Sequence, residues 1–218
     1  MFVLWYTLDT FKDGDTLEKK NCFINKIHKC YDIENYIIDN DFIFEKSSIF
    51  FEDSNTIIYD IGNDLAFKID KSLFNKERES YTNEETISSL VLKQKNITLT
   101  DFPIGVVSCK KRCVGQVIRL YKNYYPLKGI VNNDNISILY DKVIAIIEEL
   151  LNNGIMYSDI HENNFLVNNN LDVKLIDFES SCVSFNNISP NDKIFCYSKI
   201  KSMFDRLNTL NEGNYYGK

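Results

Sequence analysis

What the chain has little of narrows its chemistry before any motif is read. Its 218 residues hold two histidines, His28 and His161, and six cysteines, none of them in a Cys-x-x-Cys pair. That argues against a structural zinc site, and the wide cysteine spacing is not that of a small disulfide scaffold. The cysteines read instead as buried or free thiols of a reducing compartment. Positive charge is also short: 25 Lys and Arg against 31 Asp and Glu leave a net charge of −6. A nucleic-acid surface is therefore not expected, because phosphate backbones demand an excess of cations. No apolar run is long enough to span a bilayer. The apolar start Met-Phe-Val-Leu-Trp-Tyr-Thr lacks a basic n-region and runs into Asp9, Lys12 and Asp13, so a signal peptide is not expected either. The expected location is the cytoplasm, of the cell that makes the protein or of a host into which it is delivered.

What is present is an ordinary globular composition, 44% hydrophobic, long enough for one or two compact lobes. Residues 1–41 read as an N-terminal extension of short helices. Leu17, Phe23 or Ile24, Ile27, Tyr31, Ile37 and Ile38 are spaced loosely as on an amphipathic helix, with Trp5 and Tyr6 as anchors. From residue 42 the pattern changes to short apolar and aromatic runs, 42–44, 49–51, 56–59 and 65–69, each bounded by Ser, Asn, Asp or Gly. That is the signature of an antiparallel meander. A helix over 83–95 carries Ile87, Leu90 and Val91 on one face, and two more strands follow at 104–108 and 114–121. Ile136 to Asn153 is the clearest helix, with Ile138, Leu139, Val143, Ile146, Ile147, Leu150 and Leu151 as a broad apolar stripe and Gly154 as its stop. Residues 192–210 read as a last helix. The expected division is 42–120 and 121–218.

The stretch from Met156 to Glu179 organises the rest. Two short apolar strands, 165–167 and 173–176, flank the polar Asn168-Asn169-Asn170 turn, with Asp159 and Asp177 at the outer ends and Asn164 between them. Two carboxylates and an amide oxygen are hard ligands of the kind Mg²⁺ accepts.

Asp159-x-x-x-x-Asn164, followed by Asp177-Phe178, resembles the catalytic loop and metal-binding motif of the protein-kinase-like superfamily, which includes protein kinases and aminoglycoside phosphotransferases. Leu65-Ala66-Phe67-Lys68-Ile69 resembles its Val-Ala-Ile-Lys strand. The resemblance implies an α+β, two-lobed fold: a small antiparallel β lobe of five strands with one helix, and a truncated, mainly helical large lobe. It implies ATP and Mg²⁺ as cofactors. Lys68, held by Glu84 or by Glu85, would fix the nucleotide; Asp159 would orient and deprotonate the acceptor hydroxyl; Asn164 and Asp177 would hold metal. His161 would stand near the γ-phosphate or serve as a hydrogen-bonder within the loop.

The chain departs from the protein-kinase pattern in several places. Tyr157-Ser158 stands where His-Arg is usual, His161 stands where Ser/Thr kinases carry Lys, and Glu179 replaces the Gly of Asp-Phe-Gly. The segment 45–55, where a glycine-rich phosphate loop belongs, contains no glycine; Ser47, Ser48 or Ser54 would have to substitute. No Ala-Pro-Glu follows. The leading expectation is a minimal Ser/Thr protein kinase acting on a protein substrate. A small-molecule kinase, favoured by Asp-x-His-x-x-Asn, and a nucleotide-binding pseudokinase remain as alternatives.

Overall fold

The computed structural model describes residues 17–26, 29–38, 44–71, 84–109, 112–184 and 188–213. It is an α+β structure that divides into two units, Met1–Leu92 with Phe102–Leu120, and Lys93–Asp101 with Tyr121–Lys218. Among the described residues no helix is long and apolar enough to cross a membrane.

The first unit is built on one sheet. Its strands are β1 (Leu17–Lys26), β2 (Lys29–Ile38), β3 (Ile49–Glu52), β4 (Thr56–Gly62), β5 (Leu65–Asp70), β6 (Gly105–Cys109) and β7 (Arg112–Arg119), in the order β1-β2-β6-β7-β5-β4-β3. Every neighbouring pair is antiparallel except β2 and β6, which run parallel. Helix α1 (Glu84–Lys93) lies between β5 and β6 in the chain.

Two expectations are corrected here. The N-terminal extension does not form short helices over 17–38: it is a hairpin in which Leu17 pairs with Ile38 and Lys26 with Lys29. The small lobe is accordingly a seven-stranded mixed sheet rather than a five-stranded antiparallel one. The physical reason lies in β2, which is covered on both faces. Tyr36 and Ile38 join one core cluster, while Ile33 joins another with Ile87 and Val106. Apolar residues on both faces erase the period-2 alternation and imitate helical spacing. Trp5, Tyr6, His28 and the expected strand start at 42–43 lie outside the described residues.

One sheet face carries Tyr36, Ile38, Ile57, Tyr59, Ile61, Phe67, Ile69, Val107 and Val117, all buried. The Tyr36 and Phe67 rings meet edge to face at 5.4 Å, although β6 and β7 separate their strands. Three strand spacings amount to roughly 14 Å on a flat sheet, so this contact requires the sheet to curl around its core. The opposite face receives α1 through Ile87 and Val106.

Two glycines allow close strand approach. A Cβ on Gly105 would stand 2.4 Å from the Glu34 carbonyl oxygen, and one on Gly115 would stand 2.3 Å from the Lys68 carbonyl oxygen.

The second unit contains β8 (Tyr125–Pro126), the one-turn helix α2 (Leu127–Ile130), α3 (Ile136–Asn152), β9 (Ile155–Tyr157), β10 (Phe165–Val167), β11 (Val173–Leu175), β12 (Ser181–Val183) and α4 (Pro190–Gly213). Helix α3 buries Leu139, Val143, Ile146, Ile147, Leu150 and Leu151, and ends where Gly154 takes φ +72°. Helix α4 packs on it, with Tyr140 and Phe204 edge to face at 5.1 Å. Strand β9 pairs with β12, and β10 pairs with both β11 and β8.

Residues 93–101, expected with the small lobe, group with the second unit. The Glu149 carboxylate on α3 accepts from Thr98 N, Thr98 Oγ1 and Leu99 N at 2.7–3.0 Å. The buried Thr100 hydroxyl donates to the Leu175 carbonyl at 2.9 Å and lies 3.2 Å from the Leu175 N–H, satisfying the outer edge of β11.

Gly115→Ala is expected to destabilise the protein by about 1–3 kcal/mol, because the added methyl meets backbone rather than a movable side chain. Urea unfolding measures it, and a midpoint equal to wild type would contradict the β5–β7 register. A second expectation concerns alkali. Tyr124 donates to Asp172 Oδ2 at 2.5 Å, and burial followed by that bond pushes its phenol from 10.0 up to about 12. The unfolded chain ionises first, so this contribution is complete below pH 10 and is lost as pH rises toward about 12. Tyr124→Phe should show a shallower loss of stability across that interval, read from urea midpoints at successive pH values.

Candidate functional site

The structure brings Asp159, Asn164 and Asp177 together around one buried phenol, that of Tyr157. Strand β9 delivers Tyr157, 1% exposed, to the start of the loop that carries Asp159 and His161. Strands β10 and β11 then form the expected hairpin, with Phe165 opposite Leu175 and Val167 opposite Val173. The chain leaves β11 through Ile176 and Asp177, makes a 3-10 turn over Phe178–Ser180, and returns as β12 alongside β9, where Ser181 pairs with Tyr157. The segment is thus closed on itself by pairing at both ends.

Inside that closure the Tyr157 hydroxyl accepts from Asn164 Nδ2 at 2.7 Å and donates to the Ile176 carbonyl at 3.1 Å. Asn164 O in turn accepts from the Ile176 N–H at 2.9 Å. Burial first, then the charges of Asp177 and Asp159, raise the Tyr157 phenol well above its ordinary range, so it stays protonated and keeps its donor role. Its ring also packs edge to face on Phe178 at 5.7 Å. From α4, the Cys196 thiol donates to the Tyr157 carbonyl at 3.6 Å.

The orientation of Asn164 follows from its neighbours. Nδ2 lies 3.0 Å from Asp159 O, 3.0 Å from Asp159 Oδ2 and 2.7 Å from the Tyr157 hydroxyl. Two of these three are oxygens that only accept, so the amide nitrogen must face them. Oδ1 is turned away, and no described group donates to it.

Asp177 has φ +64° and ψ +66°, the left-handed region. For a non-glycine residue this costs of order 1–3 kcal/mol, and the surrounding hydrogen bonds must sustain it. The conformation turns the chain sharply from β11 into the 3-10 turn and sets the carboxylate at that corner. Among the described residues no three His, Cys, Asp or Glu side chains converge as a metal cluster. Asn164 and Asp177 are the residues of the segment that could hold a cation, an amide oxygen and a carboxylate being hard ligands of the kind Mg²⁺ accepts.

His161 Nε2 stands 3.4 Å from Asp159 Oδ2, and its Nδ1 accepts from the Asn163 N–H at 3.3 Å. Both contacts lie within the loop. Glu162 beside it meets Arg206 of α4 at 3.4 Å, and its carboxyl is held below the usual range by its own N–H first and by Arg206 next, against the opposing effect of burial.

Lys68 and Glu84 belong to the first unit. Phe67 and Ile69 point into the core cluster, so Lys68 occupies the other face of β5, in a row with Gln116 and Val106 across β7 and β6. Helix α1 packs on that face through Ile87, and Glu84 shares the Ile87–Val91 stripe of the helix. Lys68 and Glu84 therefore lie on facing surfaces of strand and helix.

The β3–β4 turn, expected as the phosphate-cradling loop, is occupied by its own side chain. Asp53 Oδ1 accepts from Asn55 N at 2.8 Å and Thr56 N at 2.7 Å, and those two bonds are the largest cause of its lowered pKa. Lys71 then ties Glu52 and the Asp53 carbonyl together at 2.5 and 2.6 Å. A nest of amides already capped by a carboxylate does not serve as an anion cradle.

The residue that sequence reasoning undervalued is Tyr157, noted there only as a departure from His. The available signal was an aromatic hydroxyl two residues before Asp159, at the end of an apolar strand. Neither a protein-family model nor a curated protein sequence matches the chain.

Tyr157→Phe is expected to cost about 1–3 kcal/mol, because it strips the Ile176 carbonyl of a buried donor while preserving volume. Chemical denaturation of the two proteins provides the check, and equal stability would remove the phenol from its central place.

Proposed function

We propose that the protein is an ATP- and Mg²⁺-dependent phosphotransferase that moves the γ-phosphoryl group to a hydroxyl, acting as a minimal Ser/Thr protein kinase. One observation carries this reading: a single buried phenol holds the Asn164 amide nitrogen and ties it to the backbone carbonyl just before a left-handed Asp177. A surface hairpin without chemistry has no need of an internal scaffold or of a strained aspartate. The first unit adds support. Strands β3 to β7, with α1 between β5 and β6, follow the five-strand, one-helix order of a kinase-like small lobe, with Lys68 on the α1 side.

In this reading Asp159 accepts the proton of the acceptor hydroxyl, Lys68 fixes the nucleotide phosphates with Glu84 as its partner, and Asn164 and Asp177 hold the metal. Mg²⁺ would supply charge neutralisation at the phosphate oxygens. The loose transition state asks little covalent help of the protein, so positioning and electrostatics provide most of the rate. A small-molecule acceptor is the second reading, favoured by the Asp-x-His-x-x-Asn order and by the contact between His161 and Asp159.

The test is incubation with γ-labelled ATP and Mg²⁺ against a cell lysate separated into macromolecules and small molecules. Label in protein is expected. Label confined to small molecules selects the second reading, and nucleotide binding with no label marks an inactive binding module. Asp177→Ala and Lys68→Met should each lower transfer by at least on the order of 10²-fold without loss of folding. Near-wild-type transfer in either variant would contradict the assignment of that residue.

A further inference from the structure

We infer that His161 is a positioning residue for Asp159: it anchors Oδ2 within the loop and leaves Oδ1 as the oxygen that receives the acceptor's proton. This rests on the phosphotransferase reading above and names a residue role within the same site.

Asp159 is an exposed carboxylate, with 50% of its side chain accessible, so burial does not set its rotamer. Polar contacts must do so, and both side-chain nitrogens near it stand beside one oxygen. Asn164 Nδ2 lies 3.0 Å from Oδ2, and His161 Nε2 lies 3.4 Å from the same atom. No described group donates to Oδ1.

The Asn164 amide cannot hold Oδ2 alone. It carries two N–H protons and faces three acceptors, namely the Tyr157 hydroxyl, the Asp159 carbonyl and Asp159 Oδ2. At any instant one acceptor goes unserved. His161 Nε2, 3.4 Å away, is the second side-chain nitrogen beside Oδ2, and the loop itself sets the tautomer. Asn163 N–H donates to Nδ1, which must therefore carry the lone pair, and in the neutral ring the proton then resides on Nε2. The loop is held in place around the ring. Asn164 N–H donates to the His161 carbonyl at 3.1 Å, and Glu162 is clamped to Arg206 on α4.

The chemical step balances on this arrangement. A lone pair of the acceptor oxygen forms the new bond to the γ-phosphorus. The bond from that phosphorus to the bridging oxygen breaks, its electron pair leaving with ADP. The acceptor's proton passes to Asp159 Oδ1. With Oδ2 free to rotate outward, the carboxylate would spend less time with an oxygen aimed at the acceptor, which affects the chemical step and not the affinity for nucleotide.

The experiment compares wild type, His161→Ala and His161→Gln for kcat and for KM with ATP, with imidazole nitrogen spectra of His161 recorded in wild type and in Asp159→Asn. His161→Ala is expected to lower kcat by on the order of 10- to 100-fold with KM for ATP within a factor of about two. His161→Gln, whose amide N–H reaches the same oxygen, should recover most of that loss. The spectra should show the Nε2–H tautomer in wild type and a shifted ring signal in Asp159→Asn. An active wild type with His161→Ala at full kcat, or with Gln as impaired as Ala, or with a ring signal indifferent to Asp159, overturns the inference alone. A wild type that transfers no phosphate to any acceptor overturns the phosphotransferase reading and this inference with it.

Discussion

The hydroxyl of Tyr157 is the point on which the loop and hairpin of the second unit depend. It is buried, protonated and used in both directions, accepting from the Asn164 amide and donating to the Ile176 carbonyl. Each bond joins residues far apart in the loop and hairpin, so one side chain bears on both the Asn164 amide and the corner that Asp177 turns. A histidine could serve both bonds only as one tautomer. A phenol does so at any pH at which it stays neutral, and burial together with the nearby carboxylates extends that range.

The rest of the unit supports this centre from below. Strand β12 returns beside β9 and seals the segment, while α3 and α4 bury Leu139, Val143, Ile147, Cys196, Ile200 and Met203 and α4 reaches the Tyr157 carbonyl through Cys196. The edge of the small sheet beside the site is finished by a borrowed hydroxyl, Thr100, from a segment that lies early in the chain. In the first unit the same logic appears at larger scale. A curled sheet buries one face on itself and lends the other to α1, and two glycines let strands approach where any side chain would strike a carbonyl.

Much of this was legible beforehand, for identifiable reasons. Helix α3 declared itself through a wide apolar stripe with a glycine stop, and the β10–β11 hairpin through two short apolar runs around an Asn-rich turn. The Asp159, Asn164 and Asp177 grouping could be read because residues fixed by one short hairpin cannot be far apart. The hairpin β1–β2 was not legible: a strand buried on both faces has no alternation, and Ile33, Tyr36 and Ile38 then mimic a helical stripe. The occupied β3–β4 turn was missed for a different reason. Asp53 looks like any turn residue until its carboxylate is seen closing on Asn55 and Thr56.

By itself the sequence determined helix α3, the β10–β11 hairpin and which residue types stand in the loop, because periodicity and residue type are local properties. Tertiary structure alone decided which way those groups face. That Asn164 turns its nitrogen toward Asp159 follows from two acceptor-only atoms of Asp159 placed against it. That Asp177 adopts a left-handed backbone follows from Tyr157 and Asn164 both gripping Ile176. That His161 engages Asp159 follows from a loop amide that claims its other nitrogen. Hydrogen-bond direction is a relation between atoms brought together by folding, and no single stretch of sequence contains both partners.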